Sequence, residues 1–176
     1  LFLFSTPFLL IFILKNVSQE ELIEKIRTGH RTLARIAFEL LSKTLPAQDL
    51  VRLALISKDI VVIKKAGSYL YQLNGDDFES VFRTMIGSSN AYLRCIMFQV
   101  GIKKIPEQIQ NSYVHMLVDN SADIRLVSIN FFKTHNFGVK DFYLQSLINA
   151  NKAKIRANAI LGIGQARYAD CADTIK

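Results

Sequence analysis

Leucine and isoleucine return at a fixed interval along most of the chain. From Leu33 the interval leads to Ile63, Leu93, Ile124 and Ile155, at spacings of 30, 30, 31 and 31 residues. Seven residues before each stand Ile26, Ile56, Ile86, Leu117 and Ile148. Leu and Ile fill 41 of the 176 positions, so ten matches in ten arise by chance roughly once in a few million trials. A period of this length marks a repeat architecture. Other phases agree with it. Four residues after the reference come Ala37, Gly67, Met97, Ser128 and Ala159, mostly small, as a close approach of two helices requires. Thirteen after it come Pro46, Asp76, Pro106, Phe137 and Tyr168. Pro46 and Pro106 thus mark the turn between repeats, where one helix stops and the next begins.

Inside one period the apolar spacing is helical. In the third unit, Asp77 to Gly87 supplies Phe78, Val81, Phe82, Met85 and Ile86. Gly87-Ser88-Ser89-Asn90 reads as a turn, and Tyr92 to Lys104 as a second helix. The fourth unit repeats the plan, with a first helix over Tyr113 to Val118, a turn over 119–122 and a second helix over Ile124 to Phe132. Ser18-Gln19-Glu20-Glu21 is a capping box that opens the first unit. No stretch sustains the period-two alternation of strands. The expected fold is therefore all-α, an α-solenoid of about five stacked antiparallel helix pairs. Their approximate bounds are 17–46, 47–76, 77–107, 108–139 and 140–176. One pair cannot bury its own apolar face, so the pairs must stack.

The pattern resembles the HEAT repeat family, over Val17 to Lys176. The stretch from Leu147 to Gly164 is the most similar: a basic residue opens the second helix and a small residue follows three later. The basic position is filled by Lys64, Arg94, Arg125 and Arg156; the first unit has Ala34 there and Arg35 beside it. HEAT-like units often carry an Asp in the preceding turn that meets this Arg. Asp119 matches in the fourth unit and Asp59 is near in the second, but Ser88 and Ala150 break a continuous ladder. The resemblance implies antiparallel pairs in a right-handed superhelix and a role in binding rather than in one chemistry.

The first fourteen residues are different. Leu1 to Leu14 has 11 strongly apolar residues and no charge. A full membrane span needs about 20 such residues. The chain opens on Leu rather than Met, as a fragment would, and the run reads first as the end of a transmembrane helix over residues 1–15. A buried or interfacial segment and a signal-peptide core are the alternatives; the latter lacks a basic flank and a small-residue cleavage site. Lys15, Lys25, Arg27, Arg31 and Arg35 follow closely, which favours a cytoplasmic location for the repeats. The sequon Asn16-Val17-Ser18 is then a chance match.

Charge and chemistry refine the picture. The net charge is +7, so acidic partners are favoured over basic ones. Lys64, Arg94, Arg125 and Arg156 form a candidate basic ladder that could grip an acidic peptide or anionic lipid, or else order the stack by pairing with turn groups. Arg94 and Arg156, lacking an Asp in the matching turn, are its expected free members. A second basic set, Lys43, Lys103, Lys104, Lys133 and Arg167, stands at the ends of second helices, where the helix dipole favours cations. Tyr69, Tyr71, Tyr92, Tyr113 and Tyr143 are candidate partner anchors. His30, His115 and His135 share no metal spacing. Cys95 and Cys171 have no nearby thiol partner and read as small hydrophobes. No cofactor, metal or catalytic motif is expected. Gly162-Ile163-Gly164 follows a helix rather than a strand, so helix packing explains it better than phosphate binding.

Three function classes remain. The first is a membrane-tethered scaffold for a protein partner with an acidic segment. The second is the cytoplasmic regulatory tail of a membrane transporter, of the nucleotide or major-facilitator type. The third is a HEAT-like DNA-repair glycosylase, disfavoured by the absence of Trp and by the membrane-like start; nucleic acid is not the expected partner.

Overall fold

The computed structural model of the chain describes residues 16–105 and 110–174. The apolar segment 1–15 and the turn residue Pro106 lie outside them, and so do the expectations that fall there. Among the described residues every regular element is helical and no strand occurs. The chain forms two compact units, divided between Lys104 and Ile105.

The first unit contains three helix pairs: α1 (Gln19–Thr28) with α2 (Arg31–Leu41), α3 (Ala47–Ile56) with α4 (Ile60–Ser68), and α5 (Gly75–Ile86) with α6 (Ala91–Gly101). First helices touch first helices, α1 on α3 and α3 on α5, and second helices touch second helices, α2 on α4 and α4 on α6. The helix starts follow local chemistry. The Ser18 hydroxyl accepts from the Glu21 N–H at 3.3 Å and the Glu21 carboxylate accepts from the Ser18 N–H at 3.0 Å, the reciprocal capping box read in the sequence. Asp59 caps α4 and Asn90 caps α6, each accepting two backbone N–H groups. Phe38, Leu41, Leu50, Val51, Ile63, Phe82, Met85, Leu93 and Phe98 are buried between the helices. Burying a side chain of this size contributes about 1.5–3 kcal/mol before the entropy of ordering it.

Gly101 sits where α6 crosses Phe82. A Cβ there would lie 2.4 Å from two ring atoms, so the residue must be glycine for the contact to exist. α4 continues as a tighter 3-10 turn over Tyr69–Gln72, and α6 as another over Ile102–Lys104.

The second unit holds two pairs. α7 (Ala122–Thr134) packs against Asn111–Val118, and α8 (Val139–Asn149) packs against α9 (Ala153–Ala166). α9 also touches α7 and the Asn111–Val118 segment. That segment, expected as an α-helix, is wound as a 3-10 helix. Its buried residues Tyr113, Met116 and Leu117 are three and four apart, a spacing that either helix type satisfies. A short 3-10 helix closes the unit at Ala169–Thr174.

The small-residue phase marks the tightest packing. Ala37, Met97, Ser128 and Ala159 are wholly buried, and Gly67 is buried with them. The apolar phase weakens at the last pair, where Ile148 is 66% exposed while Leu117, its counterpart one repeat earlier, is fully buried.

Candidate functional site

The turn inside each pair positions the basic ladder. In the third pair, Arg94 Nη1 donates to the Ser88 carbonyl at 2.7 Å and the Ser89 carbonyl at 3.1 Å. In the fourth, Arg125 Nη1 donates to Asp119 O at 2.8 Å and Asn120 O at 3.2 Å. In the fifth, Arg156 Nη1 donates to Ala150 O at 2.7 Å and Asn151 O at 3.3 Å. Each guanidinium therefore folds back over the turn and satisfies the carbonyls five and six residues before it. Backbone acceptors at a helix end need such partners. Arg94 and Arg125 are buried and Arg156 is half-buried. Lys64, which lacks the guanidinium fork, is exposed. The expectation that Arg94 and Arg156 stand free for want of a turn Asp is thus corrected: peptide carbonyls take the place of the carboxylate. At Asp119 the backbone oxygen takes Arg125, and one carboxylate oxygen accepts from the Ser121 N–H at 2.8 Å.

An Asp–Arg pair does form, one frame position over and between pairs. Arg35 of α2 donates through Nε to both Asp59 oxygens, at 3.1 and 3.2 Å, and through Nη2 to Oδ2 at 3.0 Å. Asp59 is buried and also accepts from Val61 and Val62 N–H at the start of α4. Burial pushes its carboxyl up, but the Arg35 hydrogen bonds, the two N–H donors and the adjacent charge outweigh this and hold it below the usual carboxylate range.

Much of the second basic set is structural. Lys104 Nζ donates to the Leu70, Tyr71 and Leu73 carbonyls and lies 5.0 Å from the Phe78 ring centre. Lys133 Nζ donates to Ala166 O at 3.0 Å and lies 4.5 Å from the Tyr168 ring centre. These ammonium groups cap helix ends and rest on aromatic faces. The tyrosines divide. Tyr113 and Tyr143 are core residues rather than anchors, whereas Tyr71 and Tyr92 are exposed. His30 caps α2 by accepting from the Thr32 N–H, and His135 stacks on Phe131 at 4.1 Å between ring centres. Among the described residues no group of three His, Cys, Asp or Glu could hold a metal ion, and no helix is long and apolar enough to cross a membrane.

A groove of about 340 Å³ opens where α2, α4 and α6 begin. Arg31, Arg35, Lys58, Asp59, Ile60 and Tyr92 line it, so three consecutive pairs contribute. Ile60 and Tyr92 are 40% and 38% exposed. The sequence marks Tyr92 as a candidate anchor and Asp59 as a turn residue, but each repeat phase taken singly does not show that they meet. Arg31, Lys58 and Tyr92 occupy different phases, and only the stacking brings them to one place. The usable signal was the turn before each second helix, where unlike residues from neighbouring repeats converge.

No family model, curated protein or solved structure matches the chain.

Proposed function

We propose that the chain is a HEAT-like array of helix pairs that serves as a membrane-tethered, non-catalytic scaffold for a protein partner with an acidic segment. The observation that carries this reading is a set of exposed cations without acidic partners at one edge of the first unit. Glu20, Glu21, Asp49, Asp76 and Asp77 collect in the first turns of α1, α3 and α5. The opposite edge, formed by the turns inside the pairs, carries Lys25, Arg31 and Lys58, none of which has an acidic partner among the described residues. Exposed cations without acidic partners steer an acidic segment to that edge. The membrane tether rests on the uncharged apolar run Leu1 to Leu14 in the sequence.

The test uses the full chain held in detergent micelles. A labelled ten-residue Asp/Glu peptide is titrated by fluorescence anisotropy, beside a Lys/Arg peptide of equal length. The acidic peptide binds and weakens as salt rises from about 0.05 to about 0.3 M, because screening shortens the reach of exposed charges. The basic peptide binds more weakly, against a net charge of +7. Absence of acidic-peptide binding at the lower salt overturns the reading.

A further inference from the structure

We infer that the acidic segment is seated in the groove at the starts of α2, α4 and α6, between Arg31 and Lys58, with an apolar side chain of the partner laid against Ile60 and Tyr92. This deepens the scaffold reading and rests on it.

The groove's charge is positive in a specific way. Its one carboxylate, Asp59, is saturated: Arg35 and two backbone N–H groups fill both of its oxygens. It is buried at the floor and neutralised by Arg35, so it offers an incoming anion little repulsion. Arg31 and Lys58 are exposed and make no ion pair or side-chain hydrogen bond among the described residues. They are the uncompensated charges of the site. Asn90 uses its carbonyl oxygen to cap α6, accepting from Tyr92 and Leu93 N–H. Its amide N–H₂ is left to donate at the groove wall.

The apolar half points to a peptide rather than a bare anion. Ile60 and Tyr92 are large side chains left exposed on the same lining that holds the cations. An inorganic anion has nothing to place against them. A peptide with alternating acidic and apolar residues covers both, because successive side chains of an extended chain point to opposite sides. Size agrees. Neighbouring helices pack about 8–10 Å apart, so three consecutive second helices offer a track on the order of 20 Å. An extended segment of about six residues spans that distance. The exposed aromatic supplies area at low entropic cost, and the cations select sign and orientation. The ladder arginines do not share this role, since their Nη1 groups are spent on turn carbonyls.

The probe is a labelled eight-residue peptide of Asp and Glu with one central Phe, read by anisotropy against the full chain at about 0.05 M salt. Arg31→Gln with Lys58→Gln is expected to weaken binding about tenfold or more. Lys43→Gln with Lys103→Gln, exposed residues at the far ends of second helices, gives the same net charge and is expected to change binding less than twofold. Tyr92→Ala is expected to remove the preference for the Phe-containing peptide over one with Gly in its place, while leaving the far-ultraviolet circular dichroism unchanged. Equal losses in the two double variants overturn the inference in favour of a general charge effect. Unaltered peptide binding in the Arg31/Lys58 variant also overturns it, as does loss confined to binding of phosphatidylserine vesicles. In these cases the acidic peptide still binds the parent chain, so the scaffold reading survives; only failure of the parent chain to bind removes both.

Discussion

Gly162 and Gly164 lie two residues apart in α9 and meet opposite surroundings. A Cβ on Gly162 would fall 2.3 Å from Tyr143 Cζ, whereas one on Gly164 would touch nothing within 4 Å. Alanine is the better helix former by about 0.5–1 kcal/mol. Gly164→Ala should therefore raise stability by about that amount, through the propensity term alone. Gly162→Ala should lower it by about 1–3 kcal/mol, since the buried ring has no room to yield. Urea unfolding of the two variants checks the opposite signs. Ser128 offers a third case in the small-residue phase. Its hydroxyl is buried without a hydrogen-bond partner among the described residues. Ser128→Ala should leave stability unchanged or raise it by about 1 kcal/mol, because an unsatisfied buried hydroxyl costs more than the methyl that replaces it. A loss in thermal unfolding would mean the hydroxyl has a partner after all.

At the scale of elements, the turn clamp explains why Arg recurs at the start of second helices. A guanidinium bridging two carbonyls contributes about 1.5–3 kcal/mol through charge-assisted bonds. Arg125 also donates through Nε to Gln165 at 2.8 Å, so it ties its own turn to the next pair. Arg125→Gln should lower stability by about that range and leave acidic-peptide binding unaltered; a binding loss with unchanged melting temperature would reverse the assignment. The Arg35–Asp59 link joins the first pair to the second, and its dependence on pH has a definite sign. The folded state holds the Asp59 carboxyl below its ordinary range, so this stabilisation is whole above about pH 4 and is lost as pH falls through the lowered folded value. Asp59→Asn should make unfolding less sensitive to acid below about pH 4, measured by denaturant midpoints across that window. The helix pairs were legible in the sequence because an apolar face recurs with the period. The clamp was only half legible: the basic residues recur, but backbone carbonyls leave no mark on a sequence, so a missing turn Asp looked like a free arginine. The 3-10 winding of Asn111–Val118 was invisible, since its apolar residues suit either helix type.

Across the whole chain the ten-position Leu/Ile pattern is regular, and its environments are not. Leu117 is fully buried, while Ile148, its equivalent, is 66% exposed. Both belong to the second unit, so the comparison isolates context from residue type. Leu117→Ala should cost about 2–5 kcal/mol. Ile148→Ala should fall within about 0.5 kcal/mol of the parent, as thermal unfolding of each would reveal. The sequence could not distinguish them, because a periodic pattern states which face is apolar and not whether anything covers it. The groove of the first unit escaped for a related reason: a site built from three different repeat phases has no period of its own.

Tyr143 gives the molecule an optical property of its own. The chain has six tyrosines and no tryptophan, so its near-ultraviolet absorption is dominated by phenol groups. The Tyr143 ring is wholly buried under α9, and its hydroxyl donates to the Leu117 carbonyl at 3.0 Å. Burial pushes its ionisation upward, against a smaller pull from the Arg125 charge. An exposed phenol ionises near pH 10, where Tyr143 stays protonated as long as α8 and α9 remain packed. Its tyrosinate band appears only after the pair opens. A jump to alkaline pH thus turns a native side chain into a stopwatch: the part of the slow absorbance change that Tyr143→Phe removes, leaving that of buried Tyr113, times the separation of these two helices with no label attached.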